Sequence, residues 1–284
     1  MNEDAGALDP VLEARILGGV RLHFVERGRG SDVVFLHGGL GDCLSWTPQL
    51  DALAPHFHSM AYSRRHHYPN QNVSSAASES IADDVNDLDG FMQSQATACA
   101  HLVGTSYGAL VALAFAMRHP KRVRSIILAE PPLHGWARRT PAGARLHDSF
   151  MRGVWRPAIV GFATGNDRLA LQILVDGMWG RPYFDSLSPL RRSVVLRNAG
   201  AMKHLTQRGV AFPELDRSDV MALTAPAFLI EGEHTSALHR CVMQELALAW
   251  PDAPRAVVPD AGHASSAENP AGFNAAALAF LLAH

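Results

Sequence analysis

The chain has 284 residues, 48% of them hydrophobic and 18% charged, a balance that excludes a disordered or fibrous polypeptide. Its 25 Lys and Arg against 27 Asp and Glu leave a formal charge of −2, so no positive excess is available for a phosphate backbone or an anionic membrane surface. Neither nucleic acid nor a membrane is an expected partner, and the length allows one large domain or a core with an insertion.

In chain order, Met1–Pro10 carries Glu3, Asp4 and Asp9 and no Lys or Arg, unlike the basic start of an export signal. Arg15–Leu17, Arg21–Glu26 and Val33–Leu36 read as strands, with Gly18-Gly19 turning the first pair. The continuous apolar run Val33–Leu36 predicts a strand buried on both faces. A helix is predicted from about Leu44 to Pro55, a strand over His58–Tyr62, and a helix over Ile81–Met92 entered through a capping box of Ser80 and Asp83. Cys99–Val103 reads as a buried strand, Tyr107–Arg118 as a helix stopped by Pro120, and Val123–Ala129 as another buried strand. From Pro131 to about Asp219 the pattern is only helical, most clearly over Arg191–His204. The β/α rhythm resumes with strand Ala227–Glu231, a helix near Leu238–Trp250, strand Arg255–Val258 and a last helix from about Ala271. This order predicts an α/β fold, a mostly parallel sheet with helices on both faces. An insertion of this length is too long for a structureless loop in a compact domain.

The longest apolar runs, Ala109–Met117 and Ala275–Ala283, have nine residues each, far below the ~20 of a spanning helix. Cys43, Cys99 and Cys241 are odd in number and widely spaced, which predicts neither a disulfide framework nor a metal pattern and fits a reducing cytoplasm. His56, His58, His66 and His67 lack acidic or cysteine partners at ligand spacing, so no metal is expected, and no cofactor.

The chemistry-bearing motif is Gly104-Thr105-Ser106-Tyr107-Gly108 between a predicted strand and a predicted helix. A serine on so sharp a turn sits in strained backbone, and glycines two residues to either side remove the Cβ atoms that would crowd it. The helix N-terminus adds free N–H groups and partial positive charge at the reacting centre. His37-Gly38-Gly39 follows the third strand, where the N–H of Gly39 and that of Tyr107 could meet on an oxyanion. His263 follows the last strand, in the order and at the kind of position that suit a general base.

Together these segments resemble the α/β-hydrolase family over nearly the whole chain: Phe35–Gly39, Leu102–Gly108, His119–Val123, and Ala261-Gly262-His263 followed by Glu268-Asn269-Pro270. The resemblance implies an α/β-hydrolase core of residues 1–130 and 220–284 and a helical cap of residues 131–219, with Ser106 as nucleophile and His263 as base. Most members of the family carry the triad acid after the seventh strand, but Thr235 holds that place here. Some relatives, certain haloalkane dehalogenases and zearalenone lactone hydrolase among them, take the acid from the end of the sixth strand, 24 residues after the nucleophile. Glu130 stands at that separation and is the leading candidate, with Glu233, Glu231 and Asp260 as alternatives.

Dehalogenases and epoxide hydrolases of this fold attack through an aspartate, whose place Ser106 takes, so acyl transfer to water is the expected reaction. The expected substrate is a medium-sized apolar ester or lactone, and Trp179, Tyr183 and Met178 are the expected binding residues. Carbon–carbon bond hydrolysis of a diketone-like substrate needs the same residues, and a hydrolase-like receptor with little turnover is the alternative from outside enzymology. Arg64 and Arg65 read either as a solvated loop or as partners for a substrate carboxylate.

Overall fold

The computed structural model describes residues 11–73 and 76–284; the acidic start Met1–Pro10 lies outside the described residues. Eight strands form one sheet: β1 Glu13–Leu17, β2 Val20–Arg27, β3 Ser31–Leu36, β4 Phe57–Tyr62, β5 Ala100–Thr105, β6 Val123–Ala129, β7 Ala227–Gly232 and β8 Arg255–Val258. Their spatial order is β1-β2-β4-β3-β5-β6-β7-β8. β2 runs antiparallel to both its neighbours, and every pair from β4 to β8 is parallel.

The apolar strands alternate between two cores, as the period of two in a strand requires. In β3, Val34 and Leu36 face one layer and Val33 and Phe35 the other; in β6, Ile126 and Leu128 oppose Ile127 and Ala129. The first layer is covered by α2 (Ile81–Ser94) and α3 (Tyr107–Arg118), with Phe91, Leu110 and Phe115 in its core. The second is covered by α1 (Thr47–Leu53) and the C-terminal helix Pro270–Leu282, which contribute Leu50, Leu53, Phe273 and Phe280.

Between β6 and β7 the chain is helical: α4 His134–Ala137, α5 Pro141–Phe150, α6 Arg156–Ala163, α7 Asp167–Trp179, α8 Pro189–Arg197, α9 Ala199–Gln207 and α10 Arg217–Met221. Trp136, Trp155, Phe162 and Phe184 from this segment join the core on the α3 side. After β7 come α11 (Ala237–Ala249), α12 (Ser265–Glu268) and α13, the Pro270–Leu282 helix. Among the described residues, no helix is long and apolar enough to cross a membrane.

Two predicted helices are divided. The one expected from Leu44 to Pro55 is a 3₁₀ turn, Cys43–Trp46, capped by Asp42, followed by α1 with Pro48 in its first turn. The single helix expected over Arg191–His204 breaks at Asn198, between α8 and α9. The Asn198 amide is drawn into long-range bonds: it donates to Asp42 Oδ2 at 2.8 Å and accepts from the Tyr68 N–H at 2.9 Å.

Candidate active site

β5 and β6 pair in parallel with Thr105 opposite Ala129, so the residues just beyond them, Ser106 and Glu130, leave the sheet side by side. The Ser106 N–H donates to the Ala129 carbonyl at 2.7 Å, which extends that pairing by one step. Both residues then turn sharply, with φ +50° at Ser106 and +49° at Glu130, a region that costs a side-chain-bearing residue about 1–3 kcal/mol. The turn at Ser106 needs Gly108, because a Cβ there would overlap the carbonyl of Leu36, and Gly104, where a Cβ would lie 2.6 Å from the Ala109 backbone.

His263 follows β8 in the loop before α12 and bridges the two groups. Its Nε2 lies 3.0 Å from Ser106 Oγ and its Nδ1 2.7 Å from Glu130 Oε2. Glu130 and His263 are buried, so their polar atoms need internal partners. Glu130 Oε1 accepts the Gly232 N–H at 2.9 Å, and Oε2 accepts the Thr235 hydroxyl at 2.7 Å. Thr235, the residue that marked a departure from the expected aspartate in the sequence, is thus a hydrogen-bond donor to Glu130. Gly232 lets the β7 turn meet the histidine loop, since a Cβ there would overlap the Gly262 carbonyl.

Among the described residues, none of the alternative carboxylates hydrogen-bonds His263. Exposed Glu233 accepts the Asp260 N–H at 2.9 Å, and Asp260 is itself exposed. Glu231 is half-buried, and burial first, then the charge of Glu130, raises its pKa.

Behind His263 stands a column of buried imidazoles. His239 of α11 stacks on it with ring centroids 4.1 Å apart and planes 22° apart, and His134 lies 5.6 Å beyond His239. Burial, then the charges of His263 and His134, holds His239 well below the usual histidine range; burial takes His134 down to about 3. Both are therefore neutral at pH 7.

Tyr107 opens α3, so its N–H is one of the amides that no carbonyl of its own helix accepts. Its side chain points away into a buried ionic network: the Tyr107 hydroxyl lies 2.9 Å from Arg208 Nη1 and 3.4 Å from Asp84 Oδ2, and the Arg64 guanidinium sits 4.5 Å over its ring. Arg64 donates to Asp84 and to the His37 carbonyl, while Arg65 makes a two-point bridge to Asp87. Neither arginine is a solvated loop residue or free for a substrate carboxylate. On the other side of the His37–Gly39 loop, the Met202 sulfur of α9 sits 3.1 Å from where a Gly39 Cβ would be.

Trp179, at the end of α7, meets His263 edge-on at 5.7 Å, and its indole N–H donates to Glu268 Oε1 at 2.6 Å. Tyr183 stacks on Trp179 with centroids 4.9 Å apart. Met178 reaches the site through its backbone, which hydrogen-bonds the His239 ring. Sequence reasoning did not identify Thr235 as a donor, His239, Met202 or Arg208; only Thr235 left a signal, as a departure from the expected aspartate.

Among the described residues, three side-chain groups have the composition of a metal site: Glu130 with His239 and His263, exposed Glu233 with His234 and Asp260, and His66 with Glu79 and His204. In the first, Glu130 hydrogen-bonds His263, and His239 stacks on that ring.

Residues 33–276 match the Alpha/beta hydrolase family. The chain is 26% identical over 273 residues to carboxylesterase YbfK of Bacillus subtilis, covering 92% of this chain and 84% of that one. It is 24% identical, with 90% of each chain covered, to 2-(acetamidomethylene)succinate hydrolase of Mesorhizobium japonicum. The enol-lactonase of Burkholderia xenovorans superposes with a TM-score of 0.74 at 22% identity over 95% of this chain and 100% of that one. With the sheet order, the helical coverage and a family match across most of its length, this chain belongs to the alpha/beta hydrolase family and is a hydrolase of that fold.

Proposed function

We propose that the chain is a serine hydrolase that cleaves an ester or lactone of a medium-sized apolar substrate through an acyl-enzyme on Ser106. The observation that carries this reading is the unbroken chain of contacts from Ser106 Oγ to His263 Nε2 at 3.0 Å and from His263 Nδ1 to Glu130 at 2.7 Å. Ser106 Oγ attacks the carbonyl carbon while its proton passes to Nε2. Glu130 holds the ring in the tautomer that leaves Nε2 free and stabilises the imidazolium. The N–H groups of Gly39 and Tyr107 receive the oxyanion. Collapse of the intermediate breaks the C–O bond, and the leaving alkoxide takes the proton from Nε2. Water then repeats the sequence on the acyl-enzyme and releases the acid.

Residues 131–219 act as a cap over a core of residues 1–130 and 220–284, with Met202 above the oxyanion loop. Trp179 forms a wall beside His263, and Tyr183 and Met178 support it. The named activities of the carboxylesterase and enol-lactonase relatives favour ester and lactone bonds. Three unpaired cysteines suit a reducing cytoplasm.

The test combines a fluorophosphonate label with a substrate panel of alkyl and aryl esters, lactones and β-diketones. A single adduct on Ser106 is expected, with ester or lactone turnover falling about 10³-fold or more in Ser106→Ala. An adduct elsewhere, near-normal turnover in the variant, or turnover confined to the diketones would overturn the proposal.

A further inference from the structure

The His263 ring is bound at its edges, with Ser106 Oγ 3.0 Å from Nε2 and Glu130 Oε2 2.7 Å from Nδ1. Edge contacts locate the two nitrogens; what packs on the faces of the ring resists its tilt out of that arrangement. Among the described residues, only His239 and Trp179 make ring contacts to His263, and His239 is the one that lies face to face, centroids 4.1 Å apart and planes 22° apart.

His239 is itself fixed. It is the third residue of α11, whose cap Ser236 accepts the His239 N–H at 3.4 Å and places the same Oγ 2.9 Å from Nδ1. The Met178 backbone also hydrogen-bonds the ring. Gly180, the C-cap of α7, packs on that serine, since a Cβ there would lie 3.2 Å from the Ser236 Cβ. The last turn of α7 and the first turn of α11 thus close around the pair, and His134 of α4 follows at 5.6 Å from His239.

The same placement keeps His239 uncharged. A first-turn residue sits at the positive end of its helix, which opposes a further positive charge. Burial acts in the same direction and holds His239 well below the usual histidine range. His263 therefore has a neutral aromatic face against it when it takes up the serine proton, and a buried cation is drawn to such a face. The other titratable groups about the pair are Glu130 of β6, Glu231 of β7, His134 of α4 and Glu268 of α12. Glu268 accepts the indole N–H of Trp179 and the N–H of Gly262, and it pairs with Arg191 of α8 at 3.3 Å.

We propose that His239 is a positioning residue for the acyl transfer: its stacked ring keeps His263 aligned between Ser106 and Glu130 and stabilises the imidazolium formed when Ser106 Oγ gives its proton to Nε2. The role rests on the serine-hydrolase reading of the site. His239 neither gives nor takes a proton in the reaction, so the steps and their balance are unchanged.

The test separates the ring from its hydrogen bonds, in the full chain. His239→Gln keeps polar atoms for Ser236 and Met178 but removes the ring; His239→Phe keeps an aromatic face and gives up the bonds. Three readouts are taken: the rate at which a fluorophosphonate labels Ser106 across pH, the pH midpoint of the His263 resonance by NMR, and Tm. The resonance is identified by its loss in His263→Gln. His239→Gln should label about 10-fold or more slowly and move both pH midpoints down by about one unit, with Tm little changed. His239→Phe should recover most of that loss. A Gln chain with the wild-type rate and midpoints, a Gln chain that slows with its midpoints unmoved, or a folded Phe chain as slow as the Gln chain would each overturn the role. If the Phe chain does not fold, the Gln chain decides alone. A wild-type chain that is never labelled at Ser106 overturns the serine-hydrolase reading instead, and the NMR midpoint then still decides whether the stack stabilises the His263 cation.

Discussion

At the scale of single residues, the proposed mechanism turns on an exchange between positions 130 and 235. A threonine hydroxyl cannot stabilise an imidazolium as a carboxylate does, but it can donate, and Thr235 donates to Glu130 at 2.7 Å. A hydrogen bond to a buried charged group contributes about 1.5–3 kcal/mol, so the two residues act as one unit. Glu130→Gln keeps the shape but removes the charge and favours the wrong His263 tautomer, so turnover should fall about 10²–10⁴-fold with Tm little changed. In an inactive Glu130→Ala chain, adding Thr235→Asp should restore part of the lost kcat, because the new carboxylate enters from the strand end that most relatives use. Steady-state kinetics on the three variants checks this; equal inactivity of the single and double variants would sever Thr235 from the role assigned to it. The Ser106 and His263 positions were legible because glycines and strand ends mark them locally. The Thr235 contact was not, because it joins residues 105 positions apart and no local pattern encodes it.

At the scale of elements, strand register explains a number that was only a spacing in the sequence. Thr105 pairs with Ala129, so residues 24 apart are neighbours across β5 and β6, and Ser106 with Glu130 continues that pairing. The strands were legible from continuous apolar runs buried on both faces. The break between α8 and α9 was not, since Asn198 is tolerated in a helix and leaves it here for Asp42 and Tyr68, partners supplied only by the tertiary fold. The same holds for Arg208, which bonds Asp84, Glu79 and the Tyr107 hydroxyl across the junction of α9 with the sheet layer. Arg208→Met removes the guanidinium and leaves Asp84 and Glu79 short of a counter-charge. Breaking a buried pair from one side costs about 3–5 kcal/mol, and the urea midpoint should fall accordingly. A midpoint within error of the wild type would mean that Arg64, the other partner of Asp84, carries the network alone.

At the scale of the whole molecule, five buried histidines set how the fold meets acid. Burial is the leading cause in each case: it takes His134 to about 3 and His101 to about 4, and holds His37, His67 and His239 well below the usual range. Geometry agrees for His37, whose Nε2 accepts the Arg64 N–H at 2.9 Å and so cannot carry a proton in the folded chain. Each of these groups takes up a proton near pH 6.5 when unfolded and at much lower pH when folded. Their contribution to stability is complete above pH 6.5 and is lost as the pH falls from there through the folded values. Asp87 opposes them: burial raises it to about 6, so it gains stability between that pH and its unfolded value of 3.8. One such aspartate, with Glu231 shifted the same way, does not offset five histidines. The urea midpoint should therefore fall from pH 7 to pH 5, each unmatched proton costing about 1.4 kcal/mol per pH unit. His134 has no hydrogen-bonding partner on either ring nitrogen among the described residues and packs against Phe150 and Phe212. His134→Phe should accordingly leave the fold intact at pH 7 and make the acid limb shallower by up to one proton. A midpoint that is flat or rises toward pH 5 would show that these histidines take up protons without leaving their buried places.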